Sequence, residues 1–508
     1  MQLSKGMLST IANVPGLVAP DEKLLALPEK VLQFGTGVLL RGLPDYFIDK
    51  ANKQGVFNGR VVVVKSTSKG GTDAFEKQDG LYTLCIKGIE DSRIIEETVI
   101  NASVSRVLSA AEQWADILQC AHNPEMKLVV SNTTEVGIVL SDDDINLAPP
   151  ASFPGKLLAF LYERYKAFSG SDGSGLVIVP TELITNNGDT LRSIVLELAV
   201  RNKLDESFMN WLQTANHFCN SLVDRIVPGK LPAADSKAVE EKLGYTDELM
   251  IMAEPFRLWV IQSGDEKVKE VLAFAQADEG VVITPDIEKF RELKLRLLNG
   301  THTFSCGLAA LAGFETVKEA MNDETVLAFV QRLMMLEIAT AMDGALISYN
   351  EACAFASKVL DRFRNPFLEH KWLSITMNYT SKMRMRNIPL LQQYHAKTGR
   401  TPEQMAAGFA AYLLFMKCSK GEDNRYYGEA NGQPYLVEDE AAGYFAAQWA
   451  LRDEDALVDA VLTDKTLWGT DLSEIDGLAA AIKENIKRIQ SDGALAAMTG
   501  RHLRETIA

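Results

Sequence analysis

Cysteine is scarce in this chain: six residues in 508, at Cys85, Cys120, Cys219, Cys306, Cys353 and Cys418. No two of them stand as CxxC, so the spacing supports neither a zinc ribbon nor a disulfide framework, and reduced, mostly buried thiols are expected. Histidine is equally scarce, also six, and HExxH is absent. A metal site would need ligands assembled from remote segments, and none is expected. A surplus of positive charge is missing too, with 52 Lys and Arg against 68 Asp and Glu and a formal net charge of −16. Such a surface repels nucleic acid and anionic membranes and leaves small molecules as the partner class. No apolar stretch reaches the roughly 18 residues of a membrane span. The segment Met1 to Met7 lacks the charged, apolar and small-residue succession of a secretory leader, so a cytoplasmic protein is expected. Internal repeats and low-complexity tracts are also absent.

What is present is enough apolar material, 47% of residues, for two domains with separate cores. In the first half, short apolar runs alternate with helical patterns: Val31 to Phe34, Val61 to Val64, Leu128 to Val130, Leu176 to Val179 and Leu249 to Met252. Continuous runs of this kind suit strands of a parallel sheet covered on both faces. From about Pro285 the alternation stops and 3.6-residue periodicity takes over, as in Val326 to Met342 and Met405 to Met416. The expected fold is α/β, with a Rossmann-like dinucleotide-binding domain over 1–284 and a mostly α-helical catalytic and substrate domain over 285–508. Thr401-Pro402-Glu403-Gln404 predicts a helix start capped by Thr401. Asp471 to Gln490 predicts a helix stopped by Gly493, and Gly421 to Gly432 a surface loop.

The first strand runs into Phe34-Gly35-Thr36-Gly37-Val38-Leu39-Leu40-Arg41-Gly42, followed by a helical pattern from Leu43 to Ala51. Gly35 permits a tight turn, and Gly37 lets the backbone approach a pyrophosphate at a helix N-terminus. Leu40 replaces the third glycine of GxGxxG, so an ordinary strand-to-helix turn is the competing explanation. No acidic residue ends the second strand, where Lys65-Ser66-Thr67-Ser68-Lys69 stands, so the residues alone leave NAD and NADP both open.

The helical half opens on Lys294-Leu295-Arg296-Leu297-Leu298-Asn299-Gly300-Thr301-His302. At about 100° per residue, Asn299 lies roughly 140° and His302 roughly 80° from Lys294, so the three can line one side of a cleft. Oxidising a secondary alcohol without a metal needs a base for the hydroxyl proton and a donor for the developing oxyanion. Lys294 suits the first role if burial lowers its pKa, Asn299 the second, and His302 can position either partner. Gly300 is expected to admit a ligand to the backbone. The alternative is a solvated lysine, a helix-end asparagine and a core histidine.

Lys-x4-Asn-x2-His at the head of a helical domain resembles the signature of the mannitol dehydrogenase family of polyol-specific long-chain dehydrogenases. Gly35-Thr36-Gly37 with Arg41, Gln78 to Leu84, Val223 to Pro228 and Glu254 to Ile261 match that family in order. Ser131 to Gly137, Pro180 to Ile184 and the run near Ser381 are similar to its members that act on sugar acids. The resemblance implies a metal-independent NAD-dependent oxidoreductase in which Lys294, Asn299 and His302 are catalytic, and Phe34, Gly35, Thr36, Gly37, Arg41 and Asn132 lie on the cofactor. It implies a substrate contact at Asp224, against the alternative of a pairing with Arg225 or a helix terminus. Family members carry a second oxyanion asparagine just after an acidic residue. Here Leu183 follows Glu182, and Asn186 or Asn187 is the candidate stand-in. Ser381-Lys382-Met383-Arg384-Met385-Arg386 concentrates three cations in an acidic protein. Lys382 with Arg384 or Arg386 is expected to hold a substrate carboxylate, against the alternative of a solvated basic helix face. The competing functions are another polyol, uronate or sugar-phosphate dehydrogenase of the family, and a catalytically silent NADH-binding protein.

Overall fold

Four consecutive valines, Val61 to Val64, can all be buried only if both faces of their strand are covered, and they are. The computed structural model describes residues 1–11, 14–66, 71–133 and 135–499, in two compact units. The first is Met1–Gly88 with Arg93–Ile287, and the second Ile89–Ser92 with Glu288–Ala508.

In the first unit a six-stranded, all-parallel sheet is built from β1 (Glu29–Phe34), β2 (Arg60–Lys65), β3 (Val104–Ser109), β4 (Leu128–Ser131), β5 (Val177–Pro180) and β6 (His217–Phe218). Its spatial order is β3-β2-β1-β4-β5-β6, the doubly wound order of dinucleotide-binding folds. Side chains alternate between two cores. Val31, Val61, Val63, Leu128 and Val130 face one, and Leu32, Phe34, Val62, Val64 and Val129 face the other. Each such side chain contributes about 1.5–3 kcal/mol through burial. The glycine-containing segment leads into α1 (Val38–Gly42) and, after a break at Leu43, α2 (Pro44–Lys53). Two longer helices, α3 (Phe153–Ala167) and α4 (Asn187–Arg201), flank the sheet; Ser152 caps α3 by accepting from the Gly155 amide at 2.9 Å.

Leu249 to Met252 departs from expectation. Its strand, Ile251–Ala253, pairs in parallel with Tyr82–Glu90 in a separate four-stranded sheet. A continuous apolar run reports burial on both faces without reporting which sheet supplies it. A third sheet joins Ser221–Asp224, Leu258–Gln262 and Val281–Thr284.

The second unit is mostly helical, with α5 (Glu288–Leu293), α6 (Thr301–Leu311), α7 (Glu324–Arg332), α8 (Tyr349–Phe363), α9 (Ile388–Thr398), α10 (Glu403–Phe415) and α11 (Leu478–Asp492). Three π-helical stretches, Lys294–Gly300, Leu333–Ile338 and Met383–Asn387, are spliced between helices. Thr401 does not cap α10; its hydroxyl donates to the Asp476 carbonyl. The buried Glu337 carboxylate accepts from the Gln404 and Met405 amides, both at 2.8 Å, and satisfies that helix start instead. The predicted loop at 421–432 contains a strand, Tyr426–Ala430. Cys418–Lys420, Tyr426–Ala430 and Gln433–Leu436 form an antiparallel sheet, its second turn made by Asn431 and Gly432, both at positive φ. The helix predicted from Asp471 begins as a short 3₁₀ turn, Leu472–Glu474, and becomes regular only at Leu478.

Among the described residues one continuous helix, Glu324–Met342, is long and apolar enough to cross a membrane by length and composition, contrary to expectation. Half of that apolar window is buried within the protein, including Phe329, Leu333 and Ile338, as in the core helix of a globular unit.

Candidate active site

At the carboxyl edge of the parallel sheet, β1 ends on buried Phe34 and the chain turns at Gly35, with φ +129°. A Cβ on Gly35 would lie 2.8 Å from Leu40 Cδ1 and 2.9 Å from the Asn132 carbonyl oxygen, so this turn requires glycine for both conformation and space. Its amide donates to the Val64 carbonyl at 3.0 Å, tying the turn to β2. Gly37 precedes α1, and a Cβ there would meet nothing within 4 Å. That open backbone beside a first helical turn, with half-buried Thr36, fits the pyrophosphate of a dinucleotide. The close packing usually allowed by the third glycine is met at Gly42, where a Cβ would strike both Val227 methyls at 2.8 Å.

Asn132 follows β4 beside this turn. Its backbone amide donates to the Phe34 carbonyl at 3.1 Å, and its Nδ2 to the Thr181 hydroxyl and carbonyl at 3.0 and 3.1 Å. Buried Glu182 accepts from the Thr133 amide at 2.8 Å and the Ser131 hydroxyl at 3.1 Å, locking the same edge; burial raises its pKa against those bonds. Thr67, Ser68 and Lys69 lie outside the described residues.

Two expected residues are otherwise engaged. The Arg41 guanidinium is buried over the Phe75 and Tyr82 rings and donates to the Leu249 carbonyl at 2.6 Å, and this inward direction contrasts with the expected cofactor contact. Asn187 is buried, its Nδ2 facing the carbonyls of Pro180, Glu182 and Ser221 at 3.0–3.1 Å. Its Oδ1 accepts from Gly188 and Ser221 amides, both at 2.9 Å, so the side chain joins three backbone segments and has no donor left for an oxyanion. Asn186, exposed and left-handed with φ 52°, precedes α4. Asp224 is buried at the end of its strand, opposite Leu258. Its neighbour Arg225 reaches the Gly42 carbonyl at 2.6 Å and closes the end of α1.

A cavity of about 800 Å³ opens at the other edge of the sheet, lined by Lys30, Lys127, Val177 and His217 among others. It holds none of these residues, and ligands of such sheets bind at the carboxyl edge.

In the second unit, Lys294 and Asn299 occupy one π turn, both half-buried. Bonds running from i to i+5 rotate the chain less per residue than α bonds, so residues five apart lie closer to one line than the α-helical angle predicts. Gly300 has a packing role instead of a ligand: a Cβ there would lie 3.3 Å from Asn387 Oδ1, and Asn387 Nδ2 donates to the Gly300 carbonyl at 3.2 Å. His302 is 8% exposed, stacked at 4.0 Å on Phe363, with His370 edge-on at 5.2 Å and Trp372 at 6.1 Å. Its Nε2 is buried and has no protein partner. Burial, then the charges of His370, Arg362, Arg386 and Lys382, hold its pKa well below the usual histidine value, so the ring is neutral.

The basic run divides. Lys382 donates to the Ile375 carbonyl at 2.9 Å, and burial followed by repulsion from Arg386 depresses its pKa. Arg386 approaches the Thr303 hydroxyl at 3.3 Å, with its buried Nε lacking a protein partner and its pKa lowered by burial. Arg384 is exposed, and its Nη2 lies near Gly469. Lys382 and Arg386 thus share the surroundings of His302, while Arg384 points elsewhere. His370, Arg362 and Arg296 were not singled out from sequence. Only Arg296 had a signal there, lying inside the Lys294 to Asn299 segment. Among the described residues no group of three His, Cys, Asp or Glu side chains gathers that could hold a metal ion.

A parallel sheet in doubly wound order with a glycine turn at its central strand, linked in sequence to a helical unit, defines a Rossmann-type two-domain protein. Residues 29–272 match the mannitol dehydrogenase Rossmann domain, and 286–490 the mannitol dehydrogenase C-terminal domain. The chain belongs to the mannitol dehydrogenase family. The altronate oxidoreductase of Halalkalibacterium halodurans is 37% identical over 483 residues, covering 93% of each chain. That of Bacillus subtilis is 38% identical over 469 residues, covering 92% of this chain and 94% of its own. Among solved structures, a substrate-free D-sorbitol dehydrogenase matches with TM-score 0.77 at 20% identity, covering 98% of this chain and all of the other. Pseudomonas fluorescens mannitol 2-dehydrogenase, in a ternary complex with NAD and D-mannitol, matches with TM-score 0.66 at 23% identity, covering 99% and 100%.

Proposed function

We propose that this chain interconverts altronate and tagaturonate by NAD-dependent hydride transfer, in the breakdown of hexuronates. The observation that carries the acid specificity is the pairing of Lys382 and Arg386 beside neutral His302, in a protein with 16 surplus negative charges. Half-buried cations whose pKa values are already depressed gain from an anionic partner, and a sugar-acid carboxylate supplies one. The names of the curated relatives support the same substrate.

Phe34, Gly35, Thr36, Gly37 and Asn132 frame the dinucleotide, with Arg41 holding the helix behind them. NAD supplies the hydride acceptor in oxidation, and NADH the donor in reduction. Lys294 Nζ takes the hydroxyl proton of altronate and, in reverse, returns it to the carbonyl oxygen of tagaturonate. Asn299 donates to the oxygen as negative charge develops, worth about 3–4 kcal/mol for a well-placed donor. His302, neutral and with Nε2 unpartnered, makes one hydrogen bond to a substrate oxygen. Asp224 contacts a substrate hydroxyl, and Asn186 is the remaining stand-in for the second oxyanion asparagine. The test is product identity: with altronate and NAD the product is tagaturonate by NMR, and no keto acid above the enzyme-free control would refute the reading.

A further inference from the structure

Pro389 has no N–H, so the carbonyl four residues earlier, Met385, cannot receive its regular helical bond. It is not left bare. Arg296, 9% exposed, donates from Nη1 to the Met385 carbonyl at 2.8 Å and to the Arg386 carbonyl at 2.7 Å. Its Nε is paired with Glu292 Oε2 at 2.9 Å, which compensates its charge. Arg296 sits in the π turn of Lys294 and Asn299, and the carbonyls it holds belong to the π turn of Arg386. Two weaker ties cross the same gap: Asn387 Nδ2 to the Gly300 carbonyl at 3.2 Å, and Arg386 Nη1 to the Thr303 hydroxyl at 3.3 Å.

We infer that Arg296 is a positioning residue for acid selectivity, fixing the carboxylate-binding cations at a set distance from the acid/base lysine. The inference rests on the proposed carboxylate role of Lys382 and Arg386. Those two cations repel each other, so their segment needs an external restraint to hold both against one ligand. The restraint acts on backbone carbonyls and moves the whole turn with it. Misplacement by about 1 Å costs on the order of a hundredfold in rate when a reacting carbon must be held in register. A lysine in its place could reach one carbonyl as a point charge, without the planar fork that spans two carbonyls and a carboxylate.

The experiment compares wild type, Arg296→Lys and Arg296→Met for altronate and for the hexitol in which its carboxylate is replaced by CH2OH, with NADH affinity and melting temperature read in parallel. In Arg296→Lys we expect KM for altronate to rise at least tenfold and the acid-to-hexitol ratio of kcat/KM to fall by a similar factor. Kd for NADH should stay within twofold and Tm within a few degrees, and Arg296→Met should go further in the same direction. Where Arg296→Met does not fold, Arg296→Lys carries the test. An unchanged acid-to-hexitol ratio, or equal loss on both substrates with a fallen Tm, overturns the positioning role and leaves a merely structural arginine. A wild-type enzyme that does not prefer altronate to the hexitol overturns the carboxylate reading itself, and the role of Arg296 falls with it.

Discussion

Replacing Lys382 by methionine keeps most of the apolar stem of the side chain and removes the ammonium group, with its charge and its donors. A hydrogen bond from a charged donor is worth about 1.5–3 kcal/mol. If Lys382 holds the substrate carboxylate, its loss should raise KM for tagaturonate roughly 10- to 150-fold. The lower part of that range is expected, since Arg386 remains. Stability moves the other way or hardly at all. The lost bond to the Ile375 carbonyl, also made by the charged ammonium, costs about 1.5–3 kcal/mol. Against this, burial and repulsion from Arg386 already disfavour the wild-type ammonium, and both penalties vanish. The assay is NADH oxidation with varied tagaturonate and, separately, varied NADH, with a melting curve as control. A KM for NADH that rises as far as that for tagaturonate, or an unchanged KM for tagaturonate, would refute the assignment.

Lys294→Ala should bind NADH normally, by fluorescence titration, and lose about 10²- to 10⁴-fold in kcat; wild-type turnover would place the acid/base elsewhere. Gly35→Ala puts a Cβ against the Asn132 carbonyl at a φ hostile to L residues. Backbone strain there costs about 1–3 kcal/mol, so NADH affinity should fall at least tenfold, and near-normal titration would show that the turn adapts. Asp45 is buried with its pKa raised to about 7 by burial, opposed by Gln33 and Arg41 and reinforced by Asp49. One of its oxygens and the Gln33 Oε1 both lack a donor, which a proton on Asp45 can supply. The folded state therefore holds a proton that the unfolded chain releases near pH 4, and this contribution to stability declines as pH rises through about 7. Over that interval it amounts to at most about 4 kcal/mol. Asp45→Asn should abolish this part of the slope in urea unfolding at pH 5 to 8, and an identical slope in variant and wild type would contradict it.

The sheet was readable because β1, β2, β4 and β5 are continuous apolar runs, the pattern of strands buried on both faces. Its edge strand His217–Phe218 and the sheet around Tyr82–Glu90 were not, being short or carrying no clean period. The hairpin at Tyr426 was missed although Asn431-Gly432 is a strong turn signal, because the polar residues before it masked the strands. The spacing of the candidate catalytic residues was visible, but its geometry was read on an α-helical wheel, and a π turn is set by tertiary packing that no spacing reports. Asn187 illustrates the limit best: a free-looking asparagine in sequence proves to have every hydrogen-bonding group occupied once three backbone segments meet around it. The tie from Arg296 to the carbonyl exposed by Pro389 joins residues 93 positions apart from arginine to proline, beyond the reach of local pattern.

The most direct test of the account is NADH consumption by the purified protein with tagaturonate, fructuronate, fructose and fructose 6-phosphate side by side. The account predicts that tagaturonate gives the highest kcat/KM, with fructose slower by at least tenfold for want of a carboxylate. Equal or faster turnover of fructose would contradict it.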